Sequence, residues 1–238
     1  MNTWIWGPPK WKFLHSLSFS PDAHAHAAVV SEFLNTLSSV LPCKYCRESY
    51  SKFVRELQPL QQTITSGQLP RWMYDLHEKV NAKLDRQLAD IAAKEAGVHV
   101  TDVQKDALCR KRQITFECLT KRFILRPVSF CADDVWEFVG IFAYNMDLTR
   151  GKADRHAVQQ WHRFFNLLPQ VAVLAGATPS LAAALSNIAS HQHHSFLHAV
   201  VQARAQYTGI AFTSDMLTQA QQIYSYAQAS VCAHGSCN

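Results

Sequence analysis

Residues Pro70 to Ala96 read PRWMYDLHEKVNAKLDRQLADIAAKEA, and this stretch decides the fold class. Trp72, Leu76, His77, Val80, Asn81, Leu84 and Leu88 recur at steps of three or four, the period of one helix face and not of a strand. Pro70 suits the first turn, where its missing N–H costs nothing, and Gly97 follows the last periodic residue. The face mixes apolar residues with Trp, His and Asn. A core-facing stripe needs no His or Asn, so this one has polar work to do.

The same period runs outward in both directions. Upstream, Gly7, Trp11, His15 and Phe19 are spaced by four on a helix begun by Pro8 and Pro9 and ending near Phe19. Pro21-Asp22 makes a break, and Val29, Val30, Phe33, Leu34, Leu37, Val40 and Leu41 form the next stripe, stopped by Pro42. Cys43 opens a third helix with Cys46, Tyr50, Phe53 and Leu57 on one side. Gln61 to Gln68 reads as a polar loop. Downstream, Gly97 to Val100 reads as a boundary, and Thr101-Asp102 begins a basic helix to about Phe123. Further helices are expected from Asp133 through Phe142, Asp154 to Leu168, Thr178-Pro179 to Ala189, His191 to Tyr207, and Ser214 to about Ser230. Strand-like alternation is nearly absent, so the expectation is an all-α protein. The expected division is a helical core at 1–100, a further helical region at 101–230 and a cysteine-bearing tail at 231–238.

Composition narrows the function classes. The chain has 238 residues, 48% hydrophobic and 17% charged, which supplies a core and argues against a disordered chain. No apolar run reaches the roughly 20 residues of a membrane span. The opening MNTWIWGPPKWKF lacks the layout of a signal peptide, and a cytoplasmic setting is expected. Lys105 to Arg126 holds seven basic and two acidic residues, as large an excess as the net charge of +5 on the whole chain. Such a stretch suits a solvated face or a site for anionic groups. The modest overall charge disfavours a nucleic-acid binder.

Seven cysteines include two close pairs, Cys43-Lys44-Tyr45-Cys46 and Cys232-Ala-His-Gly-Ser-Cys237. Two cysteines three apart at a helix start can close a small disulfide ring, and the unpaired amides there favour a thiolate. On the motif alone a redox pair, half of a zinc site and two buried thiols all remain open. A zinc site needs a second pair of ligands, and no second Cys-x-x-Cys exists. The pair follows a helix, not the strand of a thioredoxin-like unit. A helical redox pair needs another electron acceptor, and Trp11, His15, Trp72, His77 and Asn81 suit a flat ring with polar edges. His191, His193, His194 and His198 lack a nearby carboxylate or Cys and read as a polar face, with no metal expected.

Three motifs occur in order: Trp6-Gly7-x-x-x-Trp11-x-x-Leu14-His15, Leu41-Pro42-Cys43-x-x-Cys46, and Trp72-Met73-x-x-x-His77-x-x-Val80-Asn81-x-x-Leu84. Over residues 4 to 90 this resembles the Erv/ALR flavin-dependent sulfhydryl oxidases, most nearly in layout those of large DNA viruses with an extra C-terminal helical domain. The resemblance implies a four-helix bundle with a short fifth helix, holding FAD. It implies that Cys43 meets the incoming thiol, that Cys46 lies against the flavin, and that Gly7, Trp11, His15, His77, Val80, Asn81, Lys83 and Leu84 line the cofactor. It further implies protein dithiol substrates, O2 as acceptor with H2O2 as product, a homodimer, and a host-cytoplasm or virion setting. Family members often carry a second dithiol on a flexible segment, a role that Cys232 and Cys237 fit. Two departures stand out. Glu78 replaces the Asn usual after the His, and Leu84 to Leu108 lacks the cysteines of the usual structural pair. Cys118 with Cys131 is the expected substitute for that pair. A zinc-binding helical module and a non-enzymatic interaction protein are the alternative readings.

Overall fold

A computed structural model describes residues 3–97, 101, 104, 115–124, 132–189 and 195–232, with side chains from 7 to 226 within those spans. The described residues are helical, with no strand among them. The helices are α1 (Thr3–Ser18), α2 (Ala27–Val40), α3 (Lys44–Glu56), α4 (Leu60–Thr65), α5 (Leu69–Ala96), α6 (Phe116–Ile124), α7 (Ala132–Thr149), α8 (Arg155–Leu174), α9 (Pro179–Ala189), α10 (Phe196–Thr208) and α11 (Ser214–Cys232).

The expected stripes become the core. Val30, Phe33, Leu34, Leu37 and Val40 of α2 are buried, and so are Trp72, Met73 and Leu76 of α5. α1 packs against α5 and α7, α2 against α3, α4 and α8, and α3 and α4 against α5. The C-terminal helices share this core. Phe13 stacks on Phe138 at 5.3 Å between centroids, and Phe33 on Phe164 at 5.2 Å. Phe138 and Phe142 sit edge-on at 4.6 Å. Burying one such ring contributes about 1.5–3 kcal/mol, so α7 and α8 are anchored firmly on α1 and α2.

Gly97 ends α5 in the left-handed region, φ 64°, with its N–H donating to the Lys94 carbonyl; few residues but glycine adopt that conformation without cost. Asp154 caps α8 by accepting from the Ala157 amide at 2.7 Å, and Thr178 Oγ1 accepts from the Leu181 amide at the start of α9. Tyr224 of α11 seats its ring against Gly140 of α7, where any Cβ would lie 2.1 Å from the hydroxyl.

Several boundaries differ from those expected. Part of the Gln61–Gln68 loop is helix α4, because Leu60 and Ile64 are one turn apart and both bury. α8 runs through Pro169 to Leu174: its apolar face continues with Val171 and Ala172, and that burial outweighs the lost backbone bond. Asp133 lies inside the first turn of α7 and does not cap it. α10 starts at Phe196 behind Ser195, whose hydroxyl accepts from the His198 amide. Most of the basic stretch, Lys105 to Ile114, lies outside the described residues, as do Cys109, Cys131, Cys237 and His191 to His194.

Candidate functional site

α1, α3 and α5 enclose one end of a cleft of about 530 Å³. Its wall includes Gly7, Trp11, His15, Cys46, His77, Val80, Asn81, Lys83 and Leu84. The helical period explains the gathering. Gly7, Trp11 and His15 face the cleft from successive turns of α1, and His77, Val80, Asn81 and Leu84 do so from α5. Trp72 is not part of the wall. It lies five residues before His77, turned toward the core, and its Nε1 donates to the Gln58 carbonyl at 3.1 Å.

The aromatic corner is tightly built. The Trp11 and His77 rings stack at 3.8 Å between centroids and 12° between planes. His15 Nε2 and His77 Nδ1 share a hydrogen bond of 2.9 Å. Burial pushes His15 down to about 4, with the Arg122 charge acting in the same direction. Burial likewise pushes His77 down to about 3, followed by His15 and Lys10. Both imidazoles are therefore neutral at pH 7. His15 Nδ1 is buried with no hydrogen-bond partner among the described residues, an unmet polar atom on a residue of the cleft wall. Gly7 is buried on that wall, yet among the described residues a Cβ built there meets no atom within 4 Å beyond its own helix backbone and chain neighbours.

Cys43 is the residue before α3, and the Cys46 and Arg47 amides donate to its carbonyl at 3.0 Å. Cys46 sits on the cleft wall, whereas Cys43 does not. Both are free thiols in this structure and partly exposed. The Cys46 thiol donates to Cys43, and that bond draws Cys43 down to about 6 against the opposing effect of burial, helped by the Cys46 and Tyr45 amides. Cys46 moves the other way, raised first by the same bond, then by burial and by the Cys43 charge. Lys10 and Lys83 act against that rise. The shared hydrogen bond thus lowers Cys43 and raises Cys46, which favours charge on the sulfur that lies off the cleft. Lys83 Nζ donates to Ser49 Oγ at 2.6 Å, which ties α5 to α3 beside Cys46.

Residues that the motifs did not point to complete the wall: Lys10 and Lys12 of α1, Tyr50 of α3, Leu119, Arg122 and Phe123 of α6, and Asp134 of α7. Phe123 stacks on Phe19 at 5.2 Å and 3° and lies 5.7 Å from His15, so α6 closes the side of the cleft. Lys12 pairs with Asp134, which brings α7 to the rim. The basic excess on Lys105–Arg126 was a signal for Arg122; nothing local marks Asp134. Glu78, at the departure from the usual Asn, accepts from Asn81 Nδ2 at 3.1 Å and lies off the cleft. Cys118 is exposed on α6. Its expected partner Cys131 lies outside the described residues, as do the Cys232 side chain and Cys237. Among the described residues no group of three or more His, Cys, Asp or Glu side chains is arranged to hold a metal. None of the described helices is long and apolar enough to cross a membrane.

This cleft offers aromatic faces, polar imidazole and amide edges, flanking cations and a dithiol with one sulfur on its wall. Such a set suits a flat redox ring. Residues 9–102 match the family described as Erv1/Alr. That match covers 94 of the 238 residues. It carries α1 from Pro9 onward, both cysteines of the first pair and the whole of α5. The mitochondrial FAD-linked sulfhydryl oxidase ERV1 of Saccharomyces cerevisiae is 34% identical over 87 residues, covering 35% of this chain and 45% of the yeast protein. The match therefore spans less than half of that relative's length. No solved structure matches. The remaining helices, α6 to α11, lie beyond the matched residues, and α6 and α7 nonetheless add Arg122, Phe123 and Asp134 to the cleft.

Proposed function

We propose that this chain is an FAD-linked thiol oxidase that forms disulfides in protein dithiols, with Cys43 and Cys46 as its redox pair. The observation that carries the reading is the split of that pair, Cys46 on the wall of the aromatic cleft and Cys43 off it. The cleft suits FAD on three counts. Among the described residues a Cβ at Gly7 would meet no atom beyond its own helix and chain neighbours, His15 Nδ1 has an unmet hydrogen bond, and the volume lies within the range of cofactor sites. Gly7, Trp11, His15, His77, Val80, Asn81, Lys83 and Leu84 would hold the cofactor, joined by Arg122 and Phe123. FAD, when bound, accepts an electron pair from the dithiol and delivers it to O2 as H2O2.

The protein's own residues govern thiol exchange. A substrate thiolate attacks Cys43 Sγ of the oxidised pair, because that sulfur lies off the cleft. The substrate–Cys43 bond forms, the Cys43–Cys46 bond breaks, and the electron pair stays on Cys46 Sγ. Once Cys43 is in the mixed disulfide it no longer accepts the Cys46 hydrogen bond or carries charge. Two of the three causes that raise Cys46 are then gone, and Lys10 and Lys83 favour its thiolate. A second substrate thiol resolves the mixed disulfide and leaves the substrate oxidised and the pair reduced. Trp11 and His77, locked by their stack and by His15, orient the ring system without further ordering.

Cys232, the last residue of α11, and Cys237 are the proposed shuttle dithiol. A homodimer in a cytoplasmic or virion setting belongs to the same proposal; its interface would avoid the faces of α1 and α2 covered by α7 and α8. Cys43→Ser and Cys46→Ser each test the assignment. Both variants are expected to lose dithiol-dependent peroxide formation, and full turnover by either one overturns it.

A further inference from the structure

Lys10 breaks the pattern of its helix. Lys10, Leu14 and Leu17 lie at i, i+4 and i+7 of α1 and are 7%, 1% and 0% exposed. A core-facing turn has taken a cation where an apolar residue would pack at no electrostatic cost. Neither the Gly-x-x-x-Trp spacing nor the apolar stripe asks for Lys at this position. Its Nζ lies 4.6 Å from the centroid of the Trp11 ring, a cation–π placement that offsets part of the lost hydration. Lys10 and Cys46 share the wall of one cleft, and each acts on the charge of the other.

We propose that Lys10 is the cation that stabilises the Cys46 thiolate released when Cys43 is attacked, and that it thereby sets the rate at which the inner sulfur leaves. The inference rests on the assignment of Cys43 and Cys46 as the redox pair. In that step a substrate thiolate gives up its charge to a new bond with Cys43, and the same charge reappears on Cys46. No proton is needed. The charge has moved from solvent to a buried wall, where an ammonium on the same wall is worth far more than in water.

The other charged groups of the cleft face different partners or share this one. Lys12, on the same helix, is engaged with Asp134 of α7. Lys83 of α5 also favours the Cys46 thiolate and donates to Ser49 Oγ. Arg122 of α6 bears on His15. His15 and His77 are neutral at pH 7, Tyr50 of α3 is raised by burial and stays neutral, and Asp85 of α5 is the remaining acid. Burial lowers Lys10 itself to about 8, so it is charged at neutral pH and loses its charge in mildly alkaline solution.

The test reads the Cys46 thiolate directly, in the full-length protein as purified, and needs no turnover. In a Cys43→Ala background, iodoacetamide alkylation of the Cys46 peptide is followed by mass spectrometry from pH 6 to 10. Adding Lys10→Met is expected to move the Cys46 midpoint up by about one unit, a tenfold loss of thiolate at neutral pH. Lys10→Arg, which keeps the charge, is expected to hold the midpoint near its starting value. A purely structural role for Lys10 would not separate these variants. Lys10→Gln gives the same reading should Lys10→Met fail to fold. A midpoint unmoved by loss of the charge, or moved equally by Lys10→Arg, overturns the proposal. Failure of the oxidase reading is distinguishable, because it appears in the unmodified protein as an absence of bound flavin and of peroxide formation.

Discussion

Trp11 and His77 are stacked at 3.8 Å across the interface of α1 and α5, and this one contact joins two of the three helices that build the cleft. The pair is both a wall of the site and a structural tie. Its loss acts on the cofactor and on the position of the two helices together.

Trp11→Ala is expected to weaken FAD binding by about two- to tenfold, since a buried aromatic pair contributes about 0.5–1.5 kcal/mol beyond its area. Trp11→Phe keeps a ring for His77 and loses less. Titration of the full-length protein with FAD, followed by flavin fluorescence, measures both. Equal affinity in Trp11→Ala and the parent would remove Trp11 from the site.

Gly7 separates binding from folding. Among the described residues a Cβ there meets no atom within 4 Å outside its own helix backbone and chain neighbours, and alanine favours a helix over glycine by roughly 0.5–1 kcal/mol. Gly7→Ala is therefore expected to leave the melting temperature of the FAD-free protein unchanged or slightly higher while lowering FAD affinity. A variant that melts lower and binds FAD normally would contradict this placement.

The reduced pair has an ordered titration. With Cys43 drawn down to about 6, its alkylation rate in the reduced protein should level off above pH 7, and Cys43 should react well before Cys46. Cys46→Ala removes the donor that is the largest cause, so the Cys43 midpoint should rise. Peptide mass spectrometry after brief iodoacetamide exposure reads both. A Cys43 midpoint at the ordinary thiol value in the parent would overturn the inner and outer assignment.

The two buried imidazoles make stability depend on pH. Their folded values lie near 4 and 3, below the unfolded value near 6.5, so unfolding takes up protons as pH falls. Their contribution is present above pH 6.5 and is lost as pH falls toward 4, at up to about 1.4 kcal/mol per pH unit for each imidazole. Urea unfolding at pH 7, 6 and 5 should show this slope, and His77→Gln should flatten it by about one such increment. An unchanged slope in His77→Gln would mean that His77 is not buried neutral.

The cleft was legible in the sequence wherever its residues repeat along one helix. Gly7, Trp11 and His15 share a face because they are four apart, and His77, Val80, Asn81 and Leu84 because they follow the helical period. Trp72 was misassigned to that face, since five residues before His77 carry it round into the core. Lys10, Arg122 and Asp134 were not legible as wall residues. Lys10 sits where a pattern reader expects an apolar residue, and the other two arrive from α6 and α7 through long-range packing that no local period encodes. Helix α4 was hidden by its polar composition, and the length of α8 by Pro169.

The central claim is tested most directly by the absorbance spectrum of the purified protein, recorded before and after addition of a dithiol in air. The account predicts flavin bands that bleach with the dithiol and recover as oxygen is consumed and peroxide forms, with no such cycle in Cys46→Ser. A colourless protein that gains no flavin bands when FAD is added would contradict it.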